Sequence, residues 1–139
     1  MTIKNISEVR SAAELRTTAT KSERISELLR GLRQGTPEII GATLVSSDGF
    51  IVASVLPSEI DEDVIGGMAA SLLGIGERIA ADLLGSQMEQ TYVRSAKGYI
   101  VVNACGPEAV LVVLVSREAK LGLIFLELKR AVAELVRFL

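Results

Sequence analysis

Residues 61–84 constrain the fold most, because this stretch has the length of a long helix and an unusual distribution of small residues. Large apolar side chains recur every three or four residues, as they do on a helix that lies on a core. These are Ile65, Met68, Leu72, Ile75, Ile79 and Leu83. Small side chains occupy the opposite side, where a helix facing water normally carries Lys, Glu or Gln; they are Gly67, Ala70, Gly74 and Ala81. Because glycine in a helix interior costs roughly 1 kcal/mol relative to alanine, we expect this side to lie against a second backbone, with Glu77 and Arg78 at its edges.

Apolar runs rich in β-branched residues on both sides of this helix predict five strands. Residues 39–45 and 50–55 precede the helix and are joined by a segment that contains Asp48-Gly49, the pair favoured in type I′ hairpin turns. Residues 87–95, 99–105 and 109–115 follow it, and their connections are short enough for hairpins. The pattern predicts two antiparallel strands, the helix, and an antiparallel meander of three strands.

Two further helices are predicted near the ends of the chain. Thr20 with Glu23 matches a capping box, and the apolar residues that follow it predict a helix that ends between residues 31 and 35. A last helix is predicted over residues 119–139. The inward positions of the two helices are Ile25, Leu28, Leu29 and Leu32, and Leu121, Ile124, Phe125, Leu128, Val132, Leu135 and Leu139.

The order of elements predicts an α+β domain, αββαβββα, whose five-stranded antiparallel sheet is sandwiched between the long central helix and the terminal helices. This domain spans residues 22–139. Residues 1–21 are interpreted as an N-terminal tail or a weak helix, with apolar residues at Ile6, Val9 and Ala13.

Composition and charge exclude several classes of protein. Residues 1–35 carry seven Lys or Arg and four Asp or Glu, so the remaining eight bases and thirteen acids give the rest of the chain a charge of −5. An acidic body with 4% aromatic residues argues against nucleic acid as the main ligand. A single cysteine and the lack of a leader-like apolar run at the N-terminus predict a cytoplasmic protein. The longest uninterrupted apolar run, residues 109–115, is far shorter than the roughly 20 residues of a membrane helix, so no membrane span is predicted.

The sequence contains few residues or motifs that could support a catalytic mechanism. It contains no histidine, which removes the commonest general base and most zinc sites. Gly74-x-Gly76 lacks the third glycine of a dinucleotide loop and falls inside the predicted helix. The acids at 61–63 are explained by the preference for negative charge in a first helical turn. Cys105 is interpreted as a small apolar residue. No catalytic residue, cofactor site or metal site is therefore predicted.

Arg78, the one base of the long helix, has three possible roles. It could serve a GTPase as an arginine finger. It could contact a partner without catalysis, since arginine is enriched at interfaces. It could also be a solvated residue that pairs with Glu77 or with Asp82.

The order of these segments resembles the Roadblock (dynein light chain-type) family, whose αββαβββα domains regulate small Ras-like GTPases. The resemblance covers about residues 22–139. It is carried by the hairpin sequence GATLVSSDGFIVAS of residues 41–54, by the small-residue helix over 65–84, by the apolar run 109–115 and by LGLIFLELKR at 121–130. The short form of the chain is similar to the prokaryotic, MglB-like members.

The resemblance implies a homodimer in which the middle helices lie side by side and the sheets join edge to edge through the third strand. In this chain that edge would be residues 87–95, with the alternating polar residues Gln87, Glu89 and Thr91. It also implies that the paired helices form a platform for a small Ras-like GTPase, as scaffold or as activator, without an enzymatic activity of the protein's own.

Two alternatives stay open. One is a structural scaffold that assembles larger complexes without recognising the nucleotide state of a partner. The other is a small-ligand sensor, because an α/β sandwich can hold a ligand between sheet and helix.

Overall fold

The computed structural model describes residues 20–139 and shows a sheet with helices on both faces. The helices are α1 (Lys21–Gly35), α2 (Glu62–Leu84) and α3 (Leu121–Leu135), the last followed by a 3₁₀ turn, Val136–Phe138. The strands are β1 (Ile39–Ser46), β2 (Ile51–Val55), β3 (Gln90–Ser95), β4 (Gly98–Ala104) and β5 (Ala109–Ser116). This is the predicted order of elements, so the predicted α+β fold is confirmed.

The five strands form one antiparallel sheet in the order β2-β1-β5-β4-β3. The meander β3-β4-β5 has a regular register, in which Thr91 pairs with Val102 and Val102 with Val112. The β5 strand joins the meander to β1 through the centre of the sheet, where Thr43 pairs with Val112. The two edges are therefore β2 and β3.

Side chains of the central strands point alternately into two cores, as the period of two requires. Helices α1 and α3 cover the larger core, which contains Ile25, Leu29, Leu111, Ile124 and Leu128. Helix α2 covers the smaller one, built on Val45, Val102, Val110 and Val112. The uniformly apolar β5 is buried on both faces, which explains why its sequence does not alternate.

Local side-chain hydrogen bonds cap the first two helices, at Thr20 as predicted and at Asp61. Thr20 accepts a bond from the Glu23 amide at 3.2 Å, and Asp61 accepts one from the Asp63 amide at 2.9 Å. The predicted tail lies outside the described residues except for its last two, Thr20 and Lys21, which cap and begin α1.

The first hairpin and the third strand differ from the prediction. A type I′ turn needs positive φ at both central residues, but within residues 20–139 only glycines have positive φ, and Gly49 is the only one in this loop. The chain instead makes a longer loop, closed by hydrogen bonds from the Ser46 amide to the Phe50 carbonyl and from the Gly49 amide to the Ser46 carbonyl. The β3 strand begins at Gln90, so Gln87 and Glu89 lie in the segment that precedes it.

Candidate functional site

Small residues bring α2 close to the sheet. Gly66 and Ala69 are the buried residues of the helix, and Ile65, Leu72 and Leu73 pack around them on the smaller core. A Cβ on Gly66 would overlap the carbonyl oxygen of Gly49. The helix therefore rests directly on the β1–β2 loop, at a distance that only glycine permits.

A second close contact fixes the other half of α2. A Cβ on Gly76 would overlap the sulfur of Met88, a buried residue of the segment between α2 and β3. The Glu77 carboxylate accepts a hydrogen bond from the Met88 amide at 3.3 Å. Glu77 is thus half-buried and holds this connection, a role that differs from the predicted place at the edge of an interface.

The predicted inward stripe of α2 is wrong for most of its members. Ile65 and Leu72 do pack on the core, but four large side chains are exposed: Met68 at 62%, Ile75 at 56%, Ile79 at 53% and Leu83 at 76%. Val64, at 49%, extends this exposed row by one turn toward the N-terminus. The contacts of Gly66 and Gly76 rotate the helix by roughly a quarter turn from the predicted orientation. The result is a row of large apolar side chains in solvent, which we call the α2 stripe: Val64, Met68, Ile75, Ile79 and Leu83.

The small residues predicted to meet a second backbone lie beside the α2 stripe and next to the solvent. A Cβ on Gly67 or Gly74 would meet no atom within 4 Å, and Ala81 is exposed. Ala70 is half-buried and lies near Gly49. The glycines of α2 that do approach another part of this chain are Gly66 and Gly76, and the sequence analysis did not predict a close contact for either.

Arg78 projects from the exposed side of α2. No salt bridge within residues 20–139 joins it to Glu77 or Asp82, so neither of these possible ion pairs is formed. A guanidinium group next to an exposed apolar row can contact a partner, as arginines do at interfaces.

The free edge of β3 lies on the same side of the molecule as the α2 stripe. Thr91 pairs with Val102, whose side chain faces α2, so Thr91, Val93 and Ile100 share that face. Helix α2 leaves part of this face uncovered, because Val93 is 48% and Ile100 is 43% exposed. The sequence analysis missed both residues. Their apolar character was visible, but their exposure depends on how far α2 extends across the sheet.

The described residues contain no group of three or more His, Cys, Asp or Glu side chains that could hold a metal ion. Cys105 is fully buried, and this burial raises the pKa of its thiol from 9.0 to about 11. A protonated, inaccessible thiol is a poor nucleophile.

Helix α2 is long and apolar enough to cross a membrane by length and composition alone. Within its most apolar stretch of 18 residues, 11% is buried. One such helix is weak evidence for a span. Its sheet-facing side packs on a protein core, so the apolar residues in solvent require a different explanation.

Comparison with known proteins identifies the family. The family model of the Roadblock/LC7 domain matches residues 25–115. The chain belongs to the Roadblock/LC7 family. The matched region begins in α1 and ends in β5, so it includes α2, the β1–β2 loop and both edges of the sheet.

Relatives and solved structures agree with this assignment. Two uncharacterised proteins of Methanocaldococcus jannaschii, MJ0310 and MJ1340, are each 38% identical over 96 residues, which is 69% of this chain and 83% of theirs. Myxococcus xanthus MglB superposes with a TM-score of 0.76 at 23% identity, covering 84% of this chain and 87% of that one. A Roadblock/LC7 domain from Streptomyces avermitilis also gives 0.76, at 24% identity, with 81% and 95% covered. At these identities the structures establish the shared fold.

Proposed function

We propose that this Roadblock/LC7 protein is a cytoplasmic, non-enzymatic homodimer whose paired α2 helices form a binding platform for a small Ras-like GTPase. The observation that carries the proposal is the α2 stripe, five large apolar side chains that are each about half exposed or more. Monomeric soluble proteins rarely leave a contiguous apolar surface of this kind in water. A second copy of the chain would cover it.

The two edges of the sheet differ in a way that supports self-association through β3. The β1–β2 pairing shifts register between Leu44 and Val45, and β2 is followed closely by Pro57. Bulges and prolines are devices that discourage further pairing at an edge. The β3 strand is regular over six residues and contains no proline, so it can add a partner strand.

The charges of α2 favour an antiparallel arrangement of the two helices. Asp61, Glu62 and Asp63 lie at the beginning of the helix, and Arg78 lies in its second half. A parallel pair would place the acidic ends together. In an antiparallel pair each Arg78 lies nearer to the acidic end of the partner helix, which is the more favourable arrangement.

The GTPase is proposed because of the family resemblance and the surface that remains beside the stripe. That surface carries only methyl groups or no side chains, at Gly67, Gly74 and Ala81. A partner can therefore approach the helix backbone closely. Ala70 lies at its inner border, and Arg78 supplies a charged contact at its outer border. Glu77 contributes to the platform indirectly, by holding Met88 and the connection to β3.

A second candidate function is a scaffold that does not distinguish nucleotide states. Leu123 and Leu126 on α3 are 61% and 45% exposed, so a further apolar surface lies on the other side of the sheet. A protein with two separate apolar surfaces can bridge several partners.

The test is the affinity of the purified protein for each small Ras-like GTPase of its source genome, loaded with GDP or with a non-hydrolysable GTP analogue. State-selective binding supports a regulator, because a partner can shift an equilibrium only between states that it distinguishes. Equal binding to both states supports the scaffold. A complete lack of binding overturns the GTPase part of the proposal.

The matched variants for this test are Arg78→Glu and Arg137→Glu. Both arginines are exposed, but Arg78 lies on the proposed platform and Arg137 lies in the turn after α3. The proposal expects a weaker complex for Arg78→Glu and an unchanged one for Arg137→Glu. Reversal of one interfacial charge typically alters the association rate and its salt dependence.

A further inference from the structure

Basic and acidic residues are distributed unequally between the two faces of the sheet. Residues 36–93, which contain α2 and the β1–β2 hairpin, carry one Arg and nine Asp or Glu, a net charge of −8. Residues 20–35 and 94–139, which contain α1 and α3, carry eleven Lys or Arg and six Asp or Glu, a net charge of +5. Because α1 and α3 cover the face opposite to α2, the molecule has an acidic side and a basic side.

The exposed side of α3 carries apolar residues where a helix in water normally carries polar ones. Leu123 is 61% and Leu126 is 45% exposed. Lys129 lies on the β3 side of these leucines, because it follows Phe125 by one helical turn and the Phe125 ring contacts β3. Arg130 lies on the other side, where it lines the groove between α3 and α1. The two leucines therefore form the crest of the helix, with a basic residue on each side.

Further basic residues surround the beginning of α3. The Arg117 guanidinium donates a hydrogen bond to the Ala96 carbonyl at 2.7 Å, which joins the loop before α3 to the turn between β3 and β4. This contact brings Lys97 and Lys120, both exposed, to the same end of the sheet. Arg94 points to the same face, because its partner in β4 packs on the larger core.

The fold itself does not require these charges. Positive side chains are unfavourable at the beginning of a helix. Yet Lys120 is the N-cap of α3, it makes no side-chain capping bond, and the first turn contains no acid. Both α1 and α2 have a capping bond and an acid at that place. Of the bases on α3 and around its beginning, only Arg130 forms a salt bridge within residues 20–139, with Glu127. A role outside the fold therefore explains the basic charge better.

We propose that the α3 side of the protein docks on an anionic lipid surface, with Leu123 and Leu126 at the boundary between headgroups and acyl chains. Lys97, Lys120 and Lys129 then lie against the lipid phosphates. Exposed apolar residues beside Lys and Arg are the pattern by which peripheral helices bind the membrane interface. The same anionic surface repels the acidic side, so α2 faces away from the membrane.

A lipid surface fits this crest better than a folded acidic protein does. Lipids rearrange around projecting side chains, whereas a folded partner would need a groove that matches them. The docking surface is separate from the α2 stripe, and the proposal does not depend on dimer formation or on a GTPase.

Sedimentation of the full-length protein with vesicles tests the proposal. Vesicles of phosphatidylcholine are compared with vesicles that also contain about 30% phosphatidylglycerol. The proposal expects at least about tenfold stronger binding to the anionic vesicles, and a decrease of that binding as the salt concentration rises. Equal binding to both kinds of vesicle overturns it, and so does a lack of binding to either. Binding to soluble polyglutamate without binding to anionic vesicles would show that the basic side recognises an acidic protein, which also overturns it.

Two matched pairs of variants locate the surface. Lys120→Glu and Arg78→Glu change the net charge equally, but only Lys120 lies on the α3 side. Leu123→Ser and Phe50→Ser each remove a large exposed side chain, and Phe50, 73% exposed, lies in the loop that contacts α2. The proposal expects Lys120→Glu and Leu123→Ser each to weaken vesicle binding about tenfold.

The control variants Arg78→Glu and Phe50→Ser should bind the anionic vesicles as the wild type does. Equal weakening by both charge variants would mean that binding follows net charge and not this surface, and it overturns the proposal. Unchanged binding of Leu123→Ser also overturns it. All four substituted residues are exposed, so the variants are expected to fold, and an unchanged circular dichroism spectrum verifies this.

Discussion

Gly66 of α2 lies directly against Gly49 of the β1–β2 loop, so that a Cβ on Gly66 would overlap the Gly49 carbonyl oxygen. The obstacle is backbone, which cannot move aside as a side chain can. This contact fixes how α2 is rotated on the sheet and thereby determines that Met68 and Ile75 face the solvent.

The first prediction compares two adjacent glycines. Gly66→Ala is expected to lower the free energy of unfolding by about 1 to 3 kcal/mol, the usual cost of overpacking. The Cβ of Gly67→Ala meets no atom within 4 Å. This substitution is expected to raise the free energy of unfolding by up to about 1 kcal/mol, because alanine has the higher helix propensity. Urea unfolding at one protein concentration measures both. Equal effects of the two substitutions would show that the contact with Gly49 does not set the position of the helix.

The second prediction concerns Cys105 and pH. Burial raises the pKa of its thiol to about 11 in the folded protein, from an ordinary value of 9.0. The folded state therefore holds the proton more tightly, so this stabilisation is fully present below pH 9 and is lost as the pH rises toward 11. The loss amounts to about 2 to 3 kcal/mol if the full shift applies. The Cys105→Ala variant has no thiol at this position, so its free energy of unfolding does not include this pH-dependent contribution.

Urea unfolding of the wild type and of Cys105→Ala between pH 8 and pH 11 measures this effect. Other groups titrate in the same range, but they do so equally in both proteins. The stability advantage of the wild type over the variant is expected to shrink with rising pH. A difference that stays constant across this range would mean that the thiol ionises as easily in the folded state as in the unfolded one.

The third prediction concerns the edge of β3. The two-residue turn between Ser95 and Gly98 sets the hydrogen-bonding pattern, so the amides of Thr91 and Val93 face β4, and those of Tyr92 and Arg94 face outward. If two copies pair through this edge, hydrogen exchange at Tyr92 and Arg94 slows as the protein concentration rises. Thr91 and Val93 serve as internal controls, because β4 protects them at every concentration. Rapid exchange at Tyr92 and Arg94 at all concentrations would rule out pairing through β3.

The fourth prediction uses two exposed helical glycines. Gly74→Leu on α2 and Gly122→Leu on α3 each add a side chain where no atom lies within 4 Å, so both variants are expected to fold. Gly74→Leu is expected to weaken binding of the proposed GTPase, because its four added carbons keep the partner away from the helix backbone. Gly122→Leu should leave that binding unchanged. Titration of the GTPase against each variant measures both affinities, and a Gly74→Leu complex as tight as that of the wild type would place Gly74 outside the platform.

The sequence predicted the fold well because its local signals agree with one another. The uninterrupted apolar run at 109–115 predicted a strand, and β5 forms there with Val110, Leu111 and Val113 buried. Thr20 marked the beginning of the first helix, and it accepts the expected capping bond from the Glu23 amide. These features depend on residues that are close in the chain.

The orientation of α2 could not be predicted in the same way. Periodicity identifies an apolar side of a helix, but α2 has large apolar residues over more than half of its circumference. The choice between Ile65 and Ile75 as inward residues depends on Gly66 and Gly76, whose partners Gly49 and Met88 lie in other segments. The sequence therefore placed the candidate site on α2, whereas the exposed residues that define the α2 stripe emerge only from the tertiary contacts.

The measurement that tests the account most directly is the molar mass in solution of the wild type, Ile75→Glu and Leu123→Glu by sedimentation equilibrium. Ile75 and Leu123 are matched in exposure, at 56% and 61%, but only Ile75 lies on the α2 stripe. The account predicts a dimer of the 14.8 kDa chain for the wild type and Leu123→Glu, and a monomer for Ile75→Glu, which would bury a charge at the interface. A monomeric wild type, or a dimer that survives Ile75→Glu, would contradict it.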